Sequence, residues 1–394
     1  MTHTILYDGA LWHNLLPFTF TRPVAEIRVG ILKISEKWEQ WLNVSTSYLT
    51  ERYLQNKFPL NTDTENLIIN AGLLPDEGVI QAIKTLPLNT GLFKADTFVA
   101  VKISDDQVEG FDPERIQEKE NYDGSLSLLE HPWQIFKKNP EELEKDFELL
   151  NQGKKSAKLN ETNTILGEHP VFVEDGAEVE CSILNAQKGP IYIGKEAEVM
   201  EGSIIRGPAA FLEHAQVKMG AKIYEGTTFG PYCKAGGEVN NAVLMGYSNK
   251  AHDGFLGNSV IGEWCNIGAD TNNSNLKNNY KEVKVWNYSD NRFRSTGEKF
   301  CGLFMADHSK CGINTMFNTG TVVGVSANIY GGGFPRVFVP SFAWGGASGF
   351  QTYQLNKAIE TADKMMERRG LSCDETEQAI LTEVFNRTEQ YRSF

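Results

Sequence analysis

The chain has 394 residues, with 38 Lys or Arg against 51 Asp or Glu, which gives a formal net charge of −13. This acidic balance disfavours bulk binding of DNA or RNA, because a nucleic-acid surface needs clustered Lys and Arg. No apolar run approaches the roughly 18 residues of a membrane span, and the first residues lack the basic flank and apolar core of a secretory signal. We therefore expect a cytoplasmic protein with neither a membrane span nor a nucleic-acid partner.

Residues 1–155 alternate between strand-like and helix-like patterns, which is typical of an α/β domain. Short apolar runs predict strands over residues 4–7, 67–69 and 97–103. Longer stretches predict helices over residues 30–42 and 140–150. The polar segment at residues 151–161 predicts a linker to the next domain.

An apolar residue recurs at every sixth position in the middle of the chain. The longest uninterrupted series contains seven such anchors: Ile193, Val199, Ile205, Phe211, Val217, Ile223 and Phe229. A period of six fits neither a helix, which repeats near 3.6, nor an amphipathic strand, which repeats at 2. It is typical of a parallel β-helix in which three six-residue sides close one coil. We therefore predict a left-handed parallel β-helix over residues 160–345.

Two interruptions and a tail complete the predicted organisation. The phase slips near residues 187–190, which predicts an insertion, and the pattern disappears over residues 277–302, which predicts a loop or hairpin projecting from the prism. Residues 346–394 predict a C-terminal helical extension. In it, Gly370 ends one helix and Asp374 caps the next.

Residues 249–281 read NKAHDGFLGNSVIGEWCNIGADTNNSNLKNNYK. This run resembles the active-site motif of the acetyltransferase half of the bifunctional bacterial and archaeal enzymes that make UDP-N-acetylglucosamine. The resemblance implies acyl transfer on a β-helix, with acetyl-CoA as co-substrate and glucosamine-1-phosphate as acceptor. It assigns His252 as the general base, a role that suits an imidazole because its pKa lies near neutrality.

The same resemblance assigns the other residues of the expected site. Asn266 and Asn275 match amides that bind the sugar or orient the acyl group, and Lys281 matches a cation that meets the sugar phosphate. Ala269 matches the backbone position that faces the acetyl-CoA thioester. A small residue there lets a main-chain N–H approach the carbonyl and stabilise its developing negative charge.

The sequence departs from the motif at two phosphate donors. Phe255 stands where the family has Tyr, and Asn240 stands where it has Lys. A nearby cation has to replace these contacts, and the candidates are Lys234, Lys250 and the pair Lys277 and Lys281. We count Lys250 among the substrate-binding residues.

Residues 15–39 resemble, more weakly, the opening of the sugar-1-phosphate nucleotidyltransferases, in which a Gly-rich loop holds a nucleoside triphosphate. Gly9 is what remains of that loop, and Arg22 and Arg28 are candidate phosphate ligands. The resemblance implies UTP as a substrate and Mg²⁺ held by carboxylates. The sequence alone does not identify the metal ligands.

The chain as a whole resembles a divergent bifunctional enzyme with a shortened nucleotidyltransferase-like domain at residues 1–155. We predict a homotrimer, because in that family the acetyl-CoA cleft lies between neighbouring prisms. Two alternatives stay open: a nucleotidyltransferase whose prism serves only trimerisation, and a non-catalytic regulator that binds sugar nucleotides. A β-helical metal hydratase is disfavoured, since no two of the seven histidines lie within nine residues of each other.

Overall fold

The computed structural model describes residues 2–394, which form two compact units. The N-terminal unit contains the residues up to Leu15, Arg22–Ile27 and Leu32–His131. The second unit, here called the prism unit, contains Leu16–Thr21, Arg28–Ile31 and Pro132–Phe394. The main division therefore falls at residue 132, whereas the sequence places the domain boundary at residue 155.

The N-terminal unit is built around one mixed sheet. Its helices and strands are, in chain order, β1 (Thr2–Tyr7), α1 (Leu11–Asn14), α2 (Ile34–Leu42), β2 (Thr46–Leu49), β3 (Glu65–Asn70), β4 (Leu73–Leu74), α3 (Glu77–Lys84), β5 (Thr90–Lys94), β6 (Thr97–Ser104), β7 (Glu118–Asn121) and β8 (Ser127–Leu128). The six-stranded sheet has the order β2-β1-β3-β6-β5-β7. The three predicted strands correspond to β1, β3 and β6 and are confirmed.

The strands β2, β1 and β3 run parallel, so their carboxyl ends meet at one edge of the sheet. Their inward residues, such as Ile5 and Ile68, pack with Val101 of the antiparallel strand β6 in one apolar core. Asp8 directly follows β1, and Thr50 directly follows β2, so both lie at the shared edge. In open α/β sheets this is the edge at which ligands bind.

The prism unit begins with a helix and continues as short parallel strands. Its first elements are α4 (Trp133–Asn151), β9 (Thr164–Leu166), β10 (Val171–Val173), β11 (Glu178–Val179), β12 (Ile183–Asn185), β13 (Ile191–Ile193), β14 (Glu198–Val199), β15 (Ile204–Arg206), β16 (Ala209–Phe211), β17 (Gln216–Val217), β18 (Lys222–Ile223), β19 (Thr227–Phe229), β20 (Lys234–Ala235), β21 (Glu238–Gly246) and β22 (Asn249–Lys250). The later strands are β23 (Phe255–Glu263), β24 (Asn266–Ile267), β25 (Asn272–Asn273), β26 (Lys284–Asn287), β27 (Arg292–Ser295), β28 (Leu303–Met305), β29 (Lys310–Cys311), β30 (Met316–Phe317), β31 (Thr321–Val323), β32 (Asn328–Ile329), β33 (Phe338–Val339), β34 (Ala343–Gly346) and β35 (Gly349–Thr352). The helices α5 (Leu355–Glu367) and α6 (Glu375–Arg387) follow.

The predicted hexapeptide anchors fill the interior of the prism. All seven, from Ile193 to Phe229, are at most 1% exposed and belong to one apolar core. The strands that carry these anchors pair in parallel with the strand one coil later, as Ile193 does with Phe211 and Phe211 with Phe229. The predicted left-handed parallel β-helix is therefore confirmed.

One face of the prism is covered by α4. Leu143 and Phe147 of this helix pack on Phe172, Tyr192 and Leu212, which point outward from successive coils. The helix begins at Trp133, earlier than predicted, and continues through Pro140. These contacts explain why the structural division of the chain lies before α4 rather than after it.

The predicted projection and tail are both present. The segment that breaks the repeat contains the antiparallel hairpin of β26 and β27. The two C-terminal helices are confirmed; Gly370 has a φ of +71°, and the Glu377 backbone N–H donates to the Asp374 carboxylate at 2.9 Å, which caps α6. Phe385 of α6 packs edge-on against Phe342 of the prism. Within residues 2–394 there is no helix long and apolar enough to cross a membrane.

Candidate functional site

Two of the predicted acetyltransferase residues, His252 and Ala269, lie at one corner of the prism. This corner, here called the His252 corner, consists of residues 236–237, 251–254, 269–271 and 313–314. Backbone hydrogen bonds join these turns: the Asp270 N–H donates to the Asp253 carbonyl at 2.9 Å, and the Asn314 N–H to the Ala269 carbonyl at 2.8 Å. A Cβ at Gly254 would lie 2.2 Å from the Thr271 carbonyl oxygen, so the close stacking requires glycine. The turns that carry His252 and Ala269 are therefore direct neighbours.

His252 lies on the exposed turn between β22 and β23. The backbone of this turn is held from the other side as well, since the Glu238 N–H donates to the Gly254 carbonyl at 3.2 Å. The imidazole is therefore exposed on a turn whose backbone is held by both adjacent coils. A general base has to be accessible to the proton that it removes, which this exposure allows.

Lys250 points into the prism. It is 2% exposed, and its Nζ donates to the Gly236 carbonyl at 3.1 Å and to the His252 carbonyl. Burial lowers the pKa of this ammonium to about 8, although Asp253 and Asp270 act in the opposite direction. The side chain predicted to bind substrate is thus enclosed beneath the turn of His252.

Asn266 lies in the outward-facing row of β24 and is half-buried. Strand pairing places Asn249 on one side of it and Lys310 on the other. Lys310 Nζ donates to the His308 carbonyl at 2.8 Å. Lys310 was not predicted from the sequence. A signal for it exists, because a polar residue precedes an inward residue in both Asn266-Ile267 and Lys310-Cys311.

Asn275 follows β25 and is joined to β23. Its Nδ2 donates to Oδ1 of Asn258 at 2.8 Å. A Cβ at Gly257 would lie 2.8 Å from that Nδ2 and 2.5 Å from the ring of Phe255, so these side chains surround Gly257. Asn275 thus lies beside Phe255, which stands three residues after His252 in the chain.

Lys281 lies in the exposed loop that precedes the hairpin of β26 and β27. An open pocket of about 330 Å³ is lined by Ser274 and Leu276, the chain neighbours of Asn275, and by Lys277, Asn278 and Asn279 of this loop. The amide-rich lining offers hydrogen bonds of both polarities, which suits a hydroxylated ligand. Among residues 2–394, the structure shows no hydrogen bond or ion pair between Lys281 and a residue of the His252 corner.

In the N-terminal unit, the predicted phosphate ligands lie near the carboxyl end of β1. Gly9 has a φ of +49°, a left-handed conformation that glycine adopts readily. Asp8 before it is buried and accepts hydrogen bonds from the Val24 N–H, at 3.0 Å, and from the Thr50 hydroxyl. Arg22 is also buried, with 4% of its surface exposed.

Arg28 belongs to the prism unit. Its Nε donates to the Met245 carbonyl at 3.2 Å, and its Nη1 donates to the Ile31 carbonyl. The side chain is 4% exposed. Backbone carbonyls of the prism unit thus engage this buried guanidinium.

The stability of the N-terminal unit should decrease between about pH 4 and pH 7 because of Asp8. Burial raises the pKa of its carboxyl from 3.8 to about 7. Since the folded-state pKa is above the unfolded one, the neutral carboxyl stabilises the fold fully below about pH 4, and this contribution is lost as the pH rises to about 7. In Asp8→Asn, the free energy of unfolding should fall over this pH range by about 4 kcal/mol less than in the wild type, at roughly 1.4 kcal/mol per pKa unit. Denaturant unfolding at several pH values measures it, and parallel curves for the two proteins would contradict it.

Among residues 2–394, no three His, Cys, Asp or Glu side chains converge on a point suited to a metal ion. At phosphoryl-transfer sites Mg²⁺ is usually held by one or two carboxylates together with the substrate phosphates, so Mg²⁺ stays an expectation for the N-terminal unit. No step proposed below passes through a metal.

Comparison with known proteins finds a family and relatives whose names include the two predicted activities. Residues 4–155 match the family described as sugar nucleotidyl transferase. The chain is 30% identical over 186 residues to a bifunctional sugar-1-phosphate nucleotidylyltransferase/acetyltransferase of Sulfurisphaera tokodaii, covering 43% of this chain and 40% of the relative. It is 37% identical over 87 residues to the bifunctional protein GlmU of Methanocaldococcus jannaschii, covering 22% of this chain and 21% of that protein.

Among solved structures, an Arabidopsis UDP-N-acetylglucosamine acyltransferase is 16% identical, with 60% of this chain and 90% of that chain covered. Its TM-score of 0.22 is too low to support a structural conclusion. The matched region spans less than half the length of each of the two curated relatives.

Proposed function

We propose that the prism unit transfers an acetyl group from acetyl-CoA to the amine of a sugar phosphate. Supporting this is the chain's resemblance, at modest identity, to bifunctional nucleotidylyltransferase/acetyltransferases. Glucosamine-1-phosphate is the proposed acceptor. The observation that carries this proposal is the His252 corner, where the turn with an exposed imidazole stacks directly on the turn of Ala269.

In the proposed mechanism, the nitrogen of the amino sugar attacks the thioester carbonyl carbon. His252 accepts the proton that the amine loses, and the carbonyl oxygen becomes an oxyanion that a main-chain N–H near Ala269 stabilises. When the tetrahedral intermediate collapses, the C–S bond breaks and coenzyme A leaves as its thiol or thiolate. The products are the N-acetylated sugar phosphate and free coenzyme A.

Asn266, Asn275 and Lys281 are the proposed sugar-phosphate ligands. Asn266 projects outward on β24 and is half-buried. Asn275 is also half-buried, and its chain neighbours Ser274 and Leu276 line the amide-rich pocket. Lys281 is exposed on the neighbouring loop, where an ammonium is suited to meet a phosphate. We further propose a homotrimer, in which an adjacent prism completes the acetyl-CoA cleft beside the His252 corner.

The proposal is tested by measuring thiol release from acetyl-CoA in the presence of purified protein. Glucosamine-1-phosphate should give release that matches the N-acetylated product in amount, whereas glucose-1-phosphate, which lacks the amine, should give none. Glucosamine-6-phosphate tests whether the phosphate position matters. If none of a panel of amino-sugar phosphates is acetylated, the proposal is refuted and the prism is left with a scaffolding role.

A second activity, nucleotidyl transfer to a sugar-1-phosphate, is favoured by the match of residues 4–155 to the sugar nucleotidyl transferase family. The parallel edge where Asp8 and Gly9 follow β1 is the proposed substrate region, and Arg22 is the proposed phosphate ligand. Release of pyrophosphate from UTP on addition of N-acetylglucosamine-1-phosphate tests this activity independently of the first. The absence of pyrophosphate with UTP and with the other nucleoside triphosphates would refute it.

A further inference from the structure

The prism interior contains one ammonium group in a row of otherwise uncharged side chains. Along the inward-facing row, Val199, Val217 and Ala235 are followed by Lys250, since Ala235 and Lys250 are paired neighbours. The next coil continues with Ile267, because Asn249 pairs with Asn266. A residue of this type in this position requires an explanation, because burying a charge costs free energy unless the charge is hydrogen-bonded.

The coil that ends at Lys250 is shorter than its predecessors. Fifteen residues separate the paired residues Ala235 and Lys250, whereas eighteen separate Val217 and Ala235. The corner turn is therefore tight: a Cβ at Gly236 would lie 2.5 Å from the Ala251 carbonyl oxygen, and one at Gly237 would lie 2.8 Å from Cα of Asp253. Lys250 Nζ reaches this corner from inside and donates to the carbonyls of residues on both sides of it, Gly236 and His252.

Resting on the proposed acetyl transfer, we propose that Lys250 is a positioning residue that fixes the turn of His252 from within the prism by binding its main-chain carbonyl. The ammonium joins two successive turns of the His252 corner, so the imidazole is held in place relative to the turn of Ala269. This role replaces the substrate contact expected from the sequence, because the buried Nζ is directed at backbone carbonyls rather than at the surface.

The charged groups around Lys250 support a charged hydrogen bond at neutral pH. Asp253 belongs to the same turn and Asp270 to the next turn of the corner, and both carboxylates favour the ammonium. The Cys311 thiol, further along the same inward row, is uncharged at neutral pH because burial raises its pKa. Desolvation of the ammonium opposes the two carboxylates and lowers its pKa to about 8. Loss of the proton above that pH removes the charge assistance to both carbonyl bonds, so we expect the acetyl-transfer rate to fall as the pH rises through about 8.

Lys250→Met tests the proposal, because methionine is unbranched and fits an apolar interior without an ammonium. We expect kcat for acetyl transfer to fall ~10- to 100-fold, as misplacement of a reacting group does, with KM for both substrates nearly unchanged. The decrease in rate above pH 8 should also disappear. Lys222→Met, which removes an exposed ammonium on another strand of the prism, is the matched control and should change none of these values.

Hydrogen exchange separates failure of this inference from failure of the proposed function. Amides of residues 251–254 should exchange faster in Lys250→Met than in the wild type, while the anchors around Phe211 exchange equally, and this holds whether or not the protein acetylates a sugar. Unchanged exchange in that turn would overturn the positioning role. A higher KM for the sugar phosphate at constant kcat would overturn it in favour of a direct substrate contact.

Discussion

His252→Gln should lower kcat for acetyl transfer by ~10²–10⁴-fold, the usual contribution of a general base. Glutamine keeps a polar side chain of similar reach but has no basic nitrogen to take the amine proton. Because His252 is exposed on its turn, the melting temperature and KM for acetyl-CoA should stay close to wild type. Thiol release at saturating substrate, followed together with thermal unfolding, measures both quantities.

A matched control for this prediction is His169→Gln. His169 is also exposed on the prism unit, but it lies in an early coil, away from the His252 corner. It should retain full activity. If His252→Gln retained activity as well, His252 would not be the base, and the amine would have to lose its proton to another group or to water.

Phe211→Ala should destabilise the prism unit by about 3–5 kcal/mol, the range for deleting a buried aromatic side chain. Phe211 is fully buried, and its ring packs against that of Phe229 with centroids 5.3 Å apart. The parallel coils above and below it are joined by backbone bonds, so they cannot readily collapse into the resulting cavity. Urea unfolding, followed by a probe of the prism unit, measures the loss.

The control for the cavity prediction is Met219→Ala in the same unit. Met219 is 72% exposed, so its truncation should change the free energy of unfolding by less than about 0.5 kcal/mol. Equal effects of the two substitutions would mean that the coils unfold locally, one at a time, and that the interior anchors do not act as one cooperative core.

The β-helix was predictable because its stabilising interactions repeat along the chain. Each anchor, such as Val199 or Val217, meets an equivalent residue one coil later, so the periodicity of the sequence is also the periodicity of the contacts. The motif residues were predictable for a related reason. His252 and Ala269 are seventeen positions apart, about one coil, and they lie on stacked turns.

Features that depend on register or on distant contacts were not predictable. The shortened coil before Lys250 turns this lysine inward, and no local pattern distinguishes an inward from an outward lysine when the period itself changes. Lys310 was not predicted because a long insertion separates it in sequence from Asn266, its partner on the adjacent strand. The contact of Arg28 was not predictable because its acceptor, the Met245 carbonyl, lies more than two hundred residues away.

Early segments of the chain that belong to the prism unit also constrain how the protein is made. The Thr21 hydroxyl donates to the Asp307 carboxylate at 2.7 Å, across a separation of 286 residues. At a synthesis rate of roughly 5–20 residues per second, Thr21 is made tens of seconds before its acceptor exists. Arg28 and Gly30 have partners at Met245 and Thr228, in the middle coils, and Thr21 has its partner at Asp307. Folding from the N-terminus cannot complete these contacts until the coils that carry the partners have been translated.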